Sequence, residues 1–310
     1  MASLIRGRSM ANHQLDARKY LTVGEGSTGE YAPQPLEDEI PRAAGKGLDG
    51  IARAPEMTHH EHIEAIRCGD LGSLHSWELV TAMDGPGTRM TVFFAGCPLR
   101  CLYCHNPDTL RARDGTPVTP DAVLDRMKRY QAVFKVSNGG VTFSGGEPLM
   151  QPAFLAKLLH GAKEMGIHTA IDTSGFLGRN LTDDMMADTD LILLDVKSGL
   201  PEYYERTTGR PLQPTIDFGR RLSAAGKEIW ARFVLVPGLT DDVDNVEAAA
   251  EIMKEWTSLS RVEVLPFHQM ARDKWASLGM EYQLKDVQPP SKEHTELIRE
   301  IFRSHGLKTF

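Results

Sequence analysis

The sequence predicts an α/β fold: an open, partial (β/α)6 TIM-like barrel of parallel strands with outer helices, preceded by a mostly disordered leader. Three observations predict it. Short apolar or β-branched runs recur from about Leu74 onward, helix-like stretches separate them, and neither period is sustained before about residue 70. Six such units fall short of the eight that close a full barrel, so the expected sheet stays open along one side.

The elements follow in order. Residues 1 to about 57 carry Gly24, Gly26, Gly29, Pro33, Pro35, Pro41, Gly45, Gly47, Gly50 and Pro55, and bury too little apolar surface to offset chain entropy. The domain division expected is therefore a low-complexity leader over 1–70 and a barrel over 71–310. The amino-terminal MASLIRGRSMANHQ lacks the apolar centre of a secretory signal, and Asp16, Glu25, Glu30, Glu37, Asp38 and Glu39 argue against a transit peptide. His59, His60 and His62 have no cysteine or carboxylate at ligand spacing and read as a solvated patch. Strands are expected at Thr91–Phe94, Val141–Phe143, Thr169–Ile171, Leu191–Leu194, Ile229–Val236 and Val262–Leu265. Helices are expected at Asp121–Tyr130, Pro152–Met165, Thr182–Ala187, Thr215–Ala225, Val243–Trp256 and Lys292–His305. Thr119 before Pro120 and Asp121 suits a helix start, and Gly166 and Gly226 stand where helices end.

Composition removes several functions. The 310 residues are 41% hydrophobic and 25% charged, as in a soluble enzyme, and no run of about 18 apolar residues spans a membrane. Lysine and arginine number 35 against 42 acidic residues, a net charge of -7, so a nucleic-acid partner is not expected. Four cysteines are too few to staple a chain of this size, yet Cys97, Cys101 and Cys104 lie within eight positions.

In open parallel sheets chemistry sits at the carboxyl ends of strands. The first strand is followed by AGCPLRCLYCHN, three thiols on one loop with no fourth ligand nearby; Cys68 lies outside the barrel and has no evident role. Structural zinc wants four closed ligands, whereas an iron–sulfur cube on three thiolates keeps one iron open to chemistry. A zinc site completed by His105, or three buried structural cysteines, are the alternatives. The second strand leads into Ser144-Gly145-Gly146-Glu147-Pro148, where two glycines let a ligand approach the backbone and Glu147 can receive an ammonium group. Asp172 follows the third strand and Asp195 the fourth; two bare carboxylates there repel, and need a cation between them or a proton on one. Asp172 also reads as a helix cap. Lys197 can pair with either carboxylate or with an anionic ligand, Arg232 in the fifth strand needs an anionic partner, and Pro266-Phe267-His268 follow the sixth.

CPLRCLYCHN resembles the CxxxCxxC signature of the radical S-adenosylmethionine enzymes, and SGGEP resembles their GGE motif. DGPGTR at 84–89, the CHN continuation, DTSG, DVK, VLVPG and LPFHQMARDKWASLGMEY extend the similarity to the pyruvate formate-lyase activating enzymes, from about Leu74 to Phe310. Related activases carry inserted clusters on further cysteines; here Cys104 is the last cysteine of the chain. The resemblance implies one [4Fe–4S] cluster on Cys97, Cys101 and Cys104, with S-adenosylmethionine on its open iron. It implies cosubstrate contacts from Tyr103, Gly145, Gly146, Glu147, Asp172, Asp195, Lys197, Arg232 and His268. A monovalent cation on Asp172, Asp195 and carbonyls such as those of Thr173 and Leu193 follows by the same similarity. Asp84, His105 and also Tyr103 are implied to face a glycine loop of the partner, pyruvate formate-lyase. A low-potential electron donor such as flavodoxin and a cytoplasmic, reducing location complete the expectation.

Overall fold

The structure is a computed structural model that describes residues 32, 47–81 and 83–310. The leader expectation for residues 1–31 and 33–46 lies outside the described residues. From residue 47 the leader reading is corrected. Ile51 is buried in the main core, the Ala54 amide donates to the Pro117 carbonyl at 2.9 Å, and the Trp77 indole donates to the Asp49 carbonyl at 3.0 Å. The histidine patch lies on helix α1 (His59–Cys68), which Thr58 and Glu61 start as a capping box and left-handed Gly69 ends. Thr58-x-x-Glu61 is the sequence signal for this helix, which buries no residue of its own.

All six expected strands form, as β2 (Thr88–Phe94), β4 (Gly140–Gly145), β5 (His168–Thr173), β6 (Leu191–Asp195), β7 (Glu228–Leu235) and β8 (Leu259–Pro266). They pair in parallel in that order. Two further strands, β1 (Gly72–Thr81) and β3 (Thr116–Val118), add antiparallel at the β2 edge, giving the order β3-β1-β2-β4-β5-β6-β7-β8. β3 pairs with only Gly72–Leu74 of β1, so most of β1 lies at the margin of the sheet, where the polar residues of SLHSWELV are tolerated and no apolar run is needed.

The six expected helices form as α2 (Pro120–Lys128), α4 (Pro152–Glu164), α5 (Asp183–Ala187), α7 (Gln213–Ala224), α8 (Val243–Lys254) and α10 (Lys292–Ser304). Three more were not expected: α3 (Gln131–Ser137), α6 (Pro201–Thr208) and α9 (Arg272–Ser277). Helix α10 shows how they dock: Thr295, Ile298, Ile301 and Phe302 are buried at helical spacing, and the Phe302 ring meets Phe233 of β7 edge-on at 5.5 Å. Among the described residues no helix is long and apolar enough to cross a membrane.

Strand alternation sets the interior. On β6, Ile192 and Leu194 join the outer core under the helices, while Leu191 and Leu193 form a small cluster with Ala170 and Trp230. Two residues on from that cluster come Asp172, Asp195 and Arg232, which therefore share its face of the sheet. The parallel register sets Asp195 beside Arg232 and Asp172 beside Leu193. An apolar floor thus carries a charged layer.

Candidate active site

Arg232 is the hub of that layer. Its guanidinium lies 3.3 Å from Asp172, 3.3 Å from Asp84 and 3.4 Å from Glu263, and donates to the Met83 carbonyl at 2.6 Å. Burial alone weakens a guanidinium cation, but the surrounding carboxylates of Asp172, Asp84, Asp195 and Glu263 hold it firmly charged. Sequence reasoning missed Glu263, although an acid within the RVEVLP strand carries the same signal as Arg232 within WARFVLV.

The DGPGTR turn reaches this layer from between β1 and β2. Asp84 accepts from the Thr91 hydroxyl at 2.9 Å and its carbonyl accepts from the Thr142 hydroxyl at 2.6 Å. Fully buried Arg89 then ties the turn to β4, donating to the Thr142 hydroxyl at 2.6 Å and the Val141 carbonyl at 2.5 Å. Asp84 therefore binds Arg232 inside the barrel, while His105 is exposed on the cysteine loop, edge-on to His268 at 4.8 Å.

Asp172 and Asp195 each have their own basic partner. Asp172 takes Arg232 and the Ser144 hydroxyl at 2.6 Å, and Asp195 takes Lys197 at 2.6 Å. Side chains thus supply the positive charge that the sequence argument required. Burial pushes the Asp172 carboxyl up to about 6, helped by Asp195 and Asp84 and opposed by Arg232 and Ser144. Lys197 also stands 5.6 Å over the Tyr103 ring. Burial works against its ammonium, yet Asp195, Tyr103 and Cys101 keep it protonated.

Glu147 is buried and its carboxylate is fully engaged. It accepts from the Thr173 hydroxyl at 2.7 Å, the Ser174 hydroxyl at 2.6 Å, the Ser174 amide at 3.1 Å and the Leu149 amide at 3.2 Å. These bonds lock the loop after β4 to the loop after β5, so Glu147 shapes the site rather than presenting a free acceptor. Gly145 sits at φ +105, and a Cβ on Gly146 would stand 2.3 Å from the Gly96 carbonyl oxygen. Both positions require glycine because two strand-end loops pass backbone against backbone.

The cysteine loop hangs on main-chain bonds. Gly96 donates to Thr109 at 2.6 Å, Arg100 to Thr208 at 2.9 Å and Leu102 to Thr207 at 3.0 Å, while the Trp275 indole donates to the Cys104 carbonyl at 3.0 Å. Trp275 stacks on Tyr282 at 5.4 Å, which explains why the LPFHQMARDKW stretch packs here. Lys274 donates to Asn106 at 2.9 Å, and Asp108 pairs with His75 at 3.0 Å. Thr207, Thr208 and His75 carried no local sequence signal, whereas Trp275 lies within the LPFHQMARDKW motif.

All three thiols are free, and burial pushes each upward, Cys104 to about 12. Left alone they stay protonated; thiolates there need a metal to displace the protons. Among the described residues no three Cys, His, Asp or Glu side chains close around a single ion. A cube places each thiolate on a different iron, so its ligands need not share one centre. The Tyr103 hydroxyl is buried without a partner, a donor left over beside the loop. Three unpaired thiols, an orphaned hydroxyl and a glycine-lined loop fit an iron–sulfur cube with a polar ligand against it.

Comparison with known proteins agrees with this chemistry. The family model described as the radical SAM superfamily matches residues 91–249. The pyruvate formate-lyase-activating enzyme of Clostridium pasteurianum is 40% identical over 75% of this chain and 98% of its own length. The pyruvate formate-lyase 1-activating enzyme of Escherichia coli K12 is 37% identical over 77% of this chain and 98% of its own length. A radical SAM methyltransferase structure from Sphaerobacter thermophilus shares the fold alone, with a TM-score of 0.52 and 15% identity over 82% of this chain and 81% of that one. The chain belongs to the radical SAM superfamily and, within it, to the family of the pyruvate formate-lyase-activating enzymes.

Proposed function

We propose that this chain activates pyruvate formate-lyase by generating its glycyl radical, with Cys97, Cys101 and Cys104 holding one [4Fe–4S] cluster. The observation that carries the reading is three free thiols on a loop above a charged layer held at the same end of the barrel. When bound, the cluster and S-adenosylmethionine supply reductive cleavage to methionine and a 5′-deoxyadenosyl radical, which removes a Cα hydrogen from the partner glycine.

The chain's residues orient this chemistry. Gly145 and Gly146 let this loop pass close against the Phe94 and Gly96 backbone beside the methionine end of the cosubstrate, and Glu147 holds the loop in register. Asp172, Asp195, Lys197, Arg232 and His268 face the cosubstrate, with Tyr103 donating its free hydroxyl. Lys197 and Arg232 suit a carboxylate. A monovalent cation on Asp172, Asp195 and the carbonyls of Thr173 and Leu193 rests on the family resemblance alone, since Arg232 and Lys197 already pair with the two carboxylates. Asp84 sets the position of Arg232 from below, and exposed His105 meets the partner's glycine loop. The barrel domain spans 71–310, with 47–70 packed onto it. The electron donor is a low-potential carrier such as flavodoxin, and thiolate ligation places the protein in a reducing cytoplasm.

The test is an anaerobic incubation of reduced, cluster-loaded protein with S-adenosylmethionine and pyruvate formate-lyase. A glycine-centred doublet in the paramagnetic resonance spectrum of the partner is expected. Cosubstrate cleavage with no radical on the partner overturns the partner assignment, and colourless protein carrying one zinc overturns the whole reading.

A further inference from the structure

Strand β8 is the last of the sheet, and its alternation sends Val262 and Val264 into the outer core while Arg261 and Glu263 take the interior face. The register with β7 sets Arg261 beside Trp230 of the apolar floor and Glu263 beside Arg232 of the charged layer. The Arg261 guanidinium lies 3.7 Å from the centre of the Trp230 ring and 4.3 Å from that of Phe310, so two aromatic rings hold it. Phe310 reaches this place because the chain from Lys308 runs along the outer edge of β8. The Val262 amide donates to the Lys308 carbonyl at 2.8 Å, and the Phe310 amide to the Val262 carbonyl at 3.0 Å. Arg261 Nη1 then stands 3.7 Å from one Glu263 oxygen, while Arg232 Nε donates to the other at 3.4 Å.

Each nitrogen of Arg232 has its own task. Nη2 donates to the Met83 carbonyl at 2.6 Å and to Asp84 at 3.3 Å, and Nε donates to Glu263. Nη1 faces Asp172 at 3.3 Å, yet the Oδ1 atom it approaches is buried without a hydrogen-bond partner. Nη1 is therefore the corner left to a ligand. A planar guanidinium turns about its Cδ–Nε bond, and a hydrogen bond at Nε resists that turn. Stability alone does not explain the pair, because desolvation offsets most of the attraction between charges this far inside. What the pair supplies is direction.

We propose that Glu263 is the positioning residue that aims Arg232 Nη1 at the cosubstrate, and that Arg261, held by Trp230 and Phe310, fixes Glu263 in turn. This rests on the reading of Arg232 as a cosubstrate contact. Glu263 and Arg261 act through Arg232 and touch no reacting atom. The charges suit this relay. Arg232 on its own would have to offset Asp84, Asp172 and Glu263 together, whereas Arg261 takes up part of the Glu263 charge from the other side.

The test measures S-adenosylmethionine affinity by anaerobic calorimetry on cluster-loaded, full-length protein of matched iron content. Glu263→Gln is expected to weaken binding about tenfold, because a bond between charged groups gives way to a weaker one. Arg261→Met keeps an unbranched stem between the rings and should weaken binding about threefold, with Arg261→Lys recovering most of that loss. Arg232→Gln alone should lose about tenfold or more, and adding Glu263→Gln to it should cost less than about twofold further. A residue that acts through Arg232 has nothing left to act on once Arg232 is gone. A merely structural role gives losses that add in full, and full additivity overturns the proposal. Unchanged affinity in Glu263→Gln or in Arg261→Met also overturns it. If Glu263→Gln does not fold or take up iron, the Arg261→Met loss and the Arg261→Lys recovery decide the question by themselves. Arg232→Gln that binds the cosubstrate as tightly as the wild type would instead overturn the reading of Arg232 on which the relay rests.

Discussion

Removing the Glu147 carboxylate separates a loop-locking role from a ligand-holding one. Glu147→Ala strands four donors: the Ser174 and Leu149 amides, which cannot turn away, and the Thr173 and Ser174 hydroxyls, which can. Each buried donor left without an acceptor costs about 1–3 kcal/mol. Against this stands relief of a buried carboxyl whose affinity for its proton is raised by desolvation and held back by those same bonds. The two fixed amides and the vacated volume dominate, so a net loss of about 3–5 kcal/mol is expected. Glu147→Gln keeps the shape and one acceptor oxygen; the hydroxyls turn to suit the amide, and about 1–2 kcal/mol is lost. Urea unfolding of cluster-free protein measures both. S-adenosylmethionine affinity of the loaded protein should fall in proportion to the loosened loop, with Gln recovering most of it. If Ala costs less than about 1 kcal/mol yet abolishes cosubstrate binding, Glu147 holds the ligand directly and the positioning argument is wrong.

Further outcomes follow from other parts of the structure. Trp275→Phe keeps the ring beside Tyr282 but loses the 3.0 Å bond to the Cys104 carbonyl, so about 1 kcal/mol of loop support goes and brown colour should bleach faster in air than in the wild type. Asp172→Ala removes one carboxylate from Arg232 and the acceptor of Ser144; cosubstrate affinity should drop about tenfold or more while iron content is unchanged, and equal affinity would contradict its assignment. Ile51→Ala should cost about 2–4 kcal/mol in urea unfolding, because Ile51 is buried in the main core; a neutral result would return residues 47–57 to the leader. Asp190 sits below the ordinary carboxylate value of 3.8: burial alone would raise it, but Lys163 and the Thr169 amide outweigh that. Its depressed value means that stability is complete above the unfolded value and lost as pH falls through the folded one. Asp190→Asn should therefore flatten the acid limb of the stability–pH curve, and an unchanged limb would refute the linkage.

Local chemistry was legible wherever it is written locally. Runs such as LILL and VTF become buried strands because parallel strands are covered on both faces. The strand-end positions of Asp172, Asp195 and Gly145 follow from where those runs stop. The capping box of α1 and the polar strand β1 were missed because neither shows the apolar period that marks a core element.

By itself, then, the sequence determined the parallel α/β class, the six strand positions and the three-thiol loop, since each depends on spacing along one segment. Only the tertiary structure decided who neutralises whom. Asp172 and Arg232 lie 60 residues apart, and their pairing depends on the register of β5, β6 and β7. Glu147, which the sequence offers as a ligand contact, also locks two loops, because the Thr173 and Ser174 donors arrive from the neighbouring strand. Charges in a low-dielectric interior must find partners, and which partner is within reach is set by contacts between distant segments.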